Sequence, residues 1–308
     1  MSFLLNPFYL LLILLIVIYT GITLMTPPDP ASLERFAISE TNLRLLSLTV
    51  TIPFIVIWAI AFWGFVKLRD YTESIKRKGE GVHLHTIANG FMVLSIGLPV
   101  TTIFSSWITY LSRLHDPLVP SMTIIKNYLT LIIFIVTFTL IAKGSRALLG
   151  FINRKPSDRF YVIVTILIIL LGVFYAVTAL ANPNKVEPSD ITNRAIYYLS
   201  DVQIIFTVVL PYIYVWFMGF RSAYYINYFR NNVKGVIYKS ALKYLSLGIT
   251  FIVIASIATQ ILTASTSTIM NLNLAPLLAL VYILLAVIGL GYVYMALGAK
   301  RLKRIEEV

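Results

Sequence analysis

Cysteine is absent from the 308 residues, which excludes disulfides, a thiol nucleophile, Cys-ligated zinc and iron–sulfur clusters. Charge is scarce as well. Only 12% of residues are charged and 58% are hydrophobic, against about 25% and about 45–50% in ordinary soluble domains. That balance excludes a disordered chain and argues against a soluble fold. Gly (15) and Pro (13) are too few for a collagen-like or low-complexity chain. Walker loops, HExxH zinc helices and GxSxG elbows are missing. No apolar segment carries a central Asp, Glu, Lys, Arg or His, the groups that proton relays and many ion-coupled carriers use. The same lack excludes a histidine-ligated buried haem and a retinal Schiff base, since the last span meets no lysine before Lys300. No nucleophile, base and orienter can be grouped, so the sequence points to a non-enzyme without cofactor or metal.

What the chain does have is long apolar runs. A helix needs about 20 apolar residues to cross a bilayer. Eight stretches meet this: 4–25, 43–66, 87–111, 124–142, 160–181, 202–220, 241–262 and 275–297. The first has no charge before it and no small-x-small cleavage site after it, and is read as a permanent helix rather than a signal peptide. The expected fold is an all-α, polytopic integral membrane protein of eight transmembrane helices.

The net charge of +12 is unevenly placed. The loops after the second, fourth and sixth spans, with the C-terminal tail, hold 19 of the 25 basic residues. The alternate loops hold only Arg35, Arg44, Arg113, Lys126, Lys185 and Arg194. The positive-inside rule then puts both termini in the cytoplasm, in a cell membrane.

An internal duplication is legible. Pro53 and Trp58 in the second span match Pro211 and Trp216 in the sixth, at the same spacing and in a chain with four Trp. Leu94-Ser95-Ile96-Gly97 matches Leu245-Ser246-Leu247-Gly248, and Ala142-Lys143 matches Ala299-Lys300. These pairs predict two tandem four-helix repeats, residues 1–156 and 157–308, related by an axis along the membrane normal.

Six features are candidates for function. Thr101, Ser105, Thr109 and Ser112 share one face of the third span, and Ser256, Gln260 and Thr263 repeat that stripe on the seventh. They mark either a substrate path between repeats or hydrogen-bonded helix packing. Asp201 and Gln203 open the sixth span, with Lys126 a candidate partner for the carboxylate. Pro53, Pro99 and Pro211 are candidate hinges or static kinks. The Thr-Asn-Arg elements at Thr41 and Thr192 read as helix caps. His83 and His85 form half of a metal site that His115, across the membrane, cannot complete. Arg221, Tyr224, Tyr225, Tyr228 and Arg230 suit the headgroup layer better than a nucleic acid.

The expected function is transport by a permease-like protein that moves a neutral or amphipathic, lipid-like solute between the repeats. The alternative is a non-catalytic subunit, scaffold or receptor-like component of a membrane complex. Expected partners are membrane lipids, with another membrane protein or a second copy as further candidates, and no nucleic acid.

Overall fold

The computed structural model describes residues 7–77, 82–149, 209–233, 235–264 and 274–304, together with 163, 166, 167 and 170. All regular structure among them is helical: α1 Pro7–Met25, α2 Pro30–Phe36, α3 Glu40–Arg77, α4 Val82–Arg113, α5 Val119–Leu148, α6 Leu210–Asn232, α7 Val236–Ala264 and α8 Leu274–Arg304. Six of these, α1, α3, α4, α5, α7 and α8, are long and apolar enough to cross a membrane. Their outward faces stay apolar. Leu10, Leu14 and Val17 on α1 and Ile283, Leu290 and Leu297 on α8 are exposed at helical spacing, as lipid-facing stripes are. The protein is a helical multi-pass membrane protein.

Two expected spans are only partly described. Of the fifth, Ile163, Ile166, Leu167 and Leu170 are helical and exposed, along one face. For the sixth, residues 202–208 lie outside the described residues, and α6 covers the rest of the expected stretch and runs on to Asn232 through Arg221 and Arg230. Those cations and its tyrosines keep α6 outside the set of six. Elsewhere the helices outrun the apolar stretches. For example, α3 extends eleven residues beyond position 66, to Arg77. Hydropathy reads the thickness of hydrocarbon, whereas the i→i−4 ladder continues into water until a cap stops it.

The start of α3 corrects the capping expectation. Glu40 is already helical, so Thr41 and Asn42 lie within the first turn. The cap is Ser39, whose Oγ accepts the Asn42 backbone N–H at 3.3 Å. The second Thr-Asn-Arg element lies outside the described residues. α2 and α4 both end on a left-handed residue, Ala37 (φ 49°) and His115 (φ 53°). In each case the N–H of the left-handed residue and that of the next residue fold back on the last turn, as in Ala37 to Glu34 O and Ile38 to Leu33 O, and His115 to Ser112 O and Asp116 to Leu111 O. Gly235, at φ 102°, makes the turn from α6 to α7, a conformation that glycine adopts without a Cβ penalty.

Packing follows a closed cycle. α3 lies against α4, α4 against α5, α5 against α6, α6 against α7, α7 against α8, and α8 returns to α3. α1 packs outside this ring, on α3 and α4. The middle is filled rather than open. Phe138, Val215, Met218, Ile249 and Leu285 belong to one buried apolar cluster spanning α3 to α8. A second cluster joins α1 to the ring through Leu12, Leu15, Tyr19, Trp58 and Phe62. Close approach depends on glycine where helices touch. A Cβ on Gly64 would stand 2.9 Å from the Ala296 backbone, and one on Gly219 would stand 2.2 Å from Val253.

Candidate functional site

The α4 stripe is present as a face, but its hydroxyls bond to their own helix. Thr101 Oγ1 donates to Leu98 O, Ser105 Oγ to Thr101 O, Thr109 Oγ1 to Ser105 O and Ser112 Oγ to Thr109 O, all within 2.8–3.0 Å. The α7 stripe differs. Ser256 Oγ accepts Trp216 Nε1–H at 3.3 Å, and Gln260 shares a side-chain hydrogen bond with Tyr212. Both contacts tie α7 to α6. Thr263 lies in the last turn of α7. Asp201 and Gln203 lie outside the described residues. Pro53 and Pro99 are interior to α3 and α4, while Pro211 sits in the first turn of the described α6.

Ser95 and Ser246 are polar bolts between helices. Ser95 Oγ donates to Ala61 O of α3 at 3.3 Å, and Ser246 Oγ to Ala223 O of α6 at 3.1 Å. At the seam of α3, α4 and α8 a void of about 10 Å³ is lined by Gly64, Ser95 and Tyr292 among others, room for about one water. The Tyr292 hydroxyl is buried at this seam without a hydrogen bond.

A roomier cavity lies elsewhere. It measures about 260 Å³ and lies where the C-terminus of α1, α2, the N-terminus of α3 and the C-terminus of α4 converge. It is half open and faces the end of the bundle opposite the basic loops. Six hydroxyl side chains line it: Thr23, Thr26, Ser32, Ser47, Ser106 and Thr109. Leu24, Leu43, Leu48, Pro27 and Pro28 supply an apolar wall. Asp29, Arg44 and Arg113 supply charge.

The local sequence explains the arrangement. Pro27 and Pro28 cannot continue α1, and Pro30 preorganises the start of α2. The intervening Asp29 is thereby held against α4, where its Oδ1 accepts Arg113 Nη1–H at 2.7 Å. Its Oδ2 accepts Ser32 Oγ–H at 2.6 Å. The ion pair links residues 84 apart, with the two side chains only 31% and 25% exposed. Arg44 is held by Glu40, one helical turn earlier, at 2.8 Å. Each cation of the cavity therefore has its own carboxylate.

Of this site, sequence reasoning named only Thr109 as a candidate. Its signal was the scarcity of charge on that side: Arg44 and Arg113 are two of only six basic residues in the alternate loops. What the sequence hides is that Asp29 and Arg113 meet across 84 positions.

At the opposite end, arginines lie on aromatic rings. Arg69 sits 4.8 Å from the Phe8 ring centre and Arg301 4.4 Å from that of Tyr244. Arg221 covers the rings of Phe217 and Tyr225 and bonds the Tyr225 hydroxyl. Tyr224, 63% exposed, contacts the rings of Tyr225 and Tyr228, while Arg230 bonds the Asn231 side chain. Arginine over aromatic rings is the chemistry of an interfacial belt. Among the described residues no three His, Asp or Glu side chains gather as a metal-binding set. Comparison with protein-family models, curated proteins and solved structures gave no match.

Proposed function

We propose that the chain is a permease-like protein of the cell membrane, which takes a neutral or amphipathic, lipid-like solute from the outer side. The observation that carries this reading is the half-open cavity of about 260 Å³ at the sparsely basic end, polar on one wall and apolar on the other. Small-molecule sites combine an apolar lining with a few placed polar groups in this way. The excess of Lys and Arg in the alternating loops supports reading that end as external and both termini as cytoplasmic.

Two tandem repeats would frame the path, and several contacts support them. The cyclic helix order maps onto itself when α3, α4 and α5 are exchanged with α6, α7 and α8. Ser95 and Ser246 hold equivalent positions, and each bonds a carbonyl of the preceding helix, although the acceptors Ala61 and Ala223 differ by one helical turn in the register set by Pro53 and Pro211. Gly90 meets Ile141 between α4 and α5, and its counterpart Ala241 meets Gly298, the counterpart of Ile141, between α7 and α8. The same close approach thus recurs with glycine moved to the other helix.

Lipid movement in reconstituted vesicles tests the reading. The protein is incorporated with a phospholipid bearing a headgroup-proximal nitrobenzoxadiazole on one chain, and dithionite is added outside. In protein-free vesicles only the outer leaflet bleaches. Bleaching of both leaflets by the protein, lost on blocking the cavity with Thr109→Trp, is the expected result. Protection of the inner leaflet in intact proteoliposomes would overturn the lipid-moving reading and favour the subunit or receptor-like role.

A further inference from the structure

The cavity has a donor and acceptor inventory, and that inventory selects a ligand. Five of its six hydroxyls already donate within the protein: Thr23 to Tyr19 O, Thr26 to Ile22 O, Ser32 to Asp29, Ser47 to Leu43 O and Thr109 to Ser105 O. A hydroxyl has one O–H and two lone pairs, so each keeps acceptor capacity after its proton is committed. The hydroxyl lining is therefore mainly an acceptor surface. The charges balance as well. Arg113 is paired with Asp29 and Arg44 with Glu40. A site for a plain anion would be expected to leave a cation uncompensated, since desolvating charge without a partner is costly. One donor does stand apart: Arg113 Nε is buried and makes no hydrogen bond.

We infer that this cavity binds a zwitterionic headgroup with a primary ammonium, such as phosphoethanolamine. The ammonium's N–H groups meet the hydroxyl acceptors, and one phosphate oxygen meets the Arg113 guanidinium. Leu24, Leu43 and Leu48 flank the apolar portion of an attached lipid. The volume suits a headgroup rather than a whole drug-sized ligand, whose pockets begin at about 300 Å³. The inference rests on the permease reading for its biological sense, but it concerns binding alone.

Binding is measured on the purified full chain by native mass spectrometry. It is titrated with phosphatidylethanolamine, phosphatidylcholine and phosphatidylglycerol of identical short chains. Phosphatidylcholine keeps the charge and loses every ammonium N–H. At least a five-fold preference for phosphatidylethanolamine over phosphatidylcholine is expected, and the double variant Ser47→Ala/Thr109→Val should abolish it. Equal binding of the two, or tighter binding of anionic phosphatidylglycerol, would overturn the inference. Should the variant fold poorly, the wild-type contrast decides by itself. Free phosphoethanolamine that displaces the lipid identifies a soluble source for the headgroup; failure to displace identifies the bilayer, and both support the chemistry. Preferential binding with no lipid movement in vesicles would remove the permease reading and leave this one standing. Lipid movement without headgroup preference would do the reverse.

Discussion

α4 and α7 carry the same local pattern, Leu94–Gly97 in one and Leu245–Gly248 in the other. Up to the glycine they behave alike, each sending a serine hydroxyl to a carbonyl of the preceding long helix. Beyond it they part. The hydroxyls of Thr101, Ser105, Thr109 and Ser112 close on the preceding turn of α4, whereas Ser256 and Gln260 bond Trp216 and Tyr212 of α6. A Ser or Thr in a helix always has a carbonyl three or four residues back within reach. Whether its polarity joins two helices depends on what the neighbour offers. On α7 the neighbour offers an indole N–H and a phenol. On α4 the self-bonded hydroxyls are left as acceptors, and Thr109 turns that capacity toward the cavity.

The two tryptophans sharpen this contrast most strongly. Trp58 is 3% exposed and packs on Tyr19 at 5.0 Å, with Leu12, Leu15 and Phe62 around it. Trp58→Ala should lower stability by about 3–5 kcal/mol, the cost of emptying a large aromatic site, and should loosen α1 from the ring. Thermal unfolding in detergent measures the first effect and protease sensitivity of α1 the second. An unchanged melting temperature would show that α1 is not held there.

Next come the paired glycines. A Cβ on Gly248 would meet Met295 Cγ at 2.4 Å and the Gly291 carbonyl oxygen at 2.7 Å, whereas the three atoms nearest to one on Gly97 all belong to the Ile133 side chain. Backbone cannot yield as a rotamer can. Gly248→Ala should cost about 2–3 kcal/mol and Gly97→Ala about 1 kcal/mol, within the usual range for overpacking. Equal losses in the two unfolding curves would break the distinction. Trp216→Phe removes the bond to Ser256 and should cost about 1 kcal/mol, with most of the loss absent in a Ser256→Ala background. Additive losses in that double-mutant cycle would mean that the bond contributes nothing. The smallest change has the opposite sign. Ala37 holds a left-handed conformation at the end of α2, so Ala37→Gly should stabilise by roughly 0.5–1 kcal/mol, because glycine removes the Cβ strain. A lower melting temperature would contradict the strain.

Legibility in the sequence tracked the range of the interaction. Six of the eight expected spans coincide with helices long and apolar enough to cross a membrane, because about 20 apolar residues per crossing is a local requirement. The fifth and sixth lie partly outside the described residues, and α6 continues past the expected end at 220 through Arg221 and Arg230. The cap of α3 was misassigned by two or three residues, from Ser39 to Thr41 and Asn42, because all three are good capping types and only the backbone decides which one is outside the helix. The cavity was not readable. Its walls come from four helices, and none of them carries a motif.

The sequence by itself determined that the chain is helical, that its helices present apolar faces outward, and that its cations gather at one end. These properties follow from composition and periodicity, which each segment carries alone. The tertiary structure alone decided which polar groups face one another. It brought Asp29 to Arg113, Tyr212 to Gln260 and Trp216 to Ser256. It closed α8 on α3, and it left a half-open space beneath α2 while filling the ring with side chains. Pairing across tens of residues depends on how helices are ordered in space, and that order is set by the sum of many packing contacts rather than by any one stretch of chain.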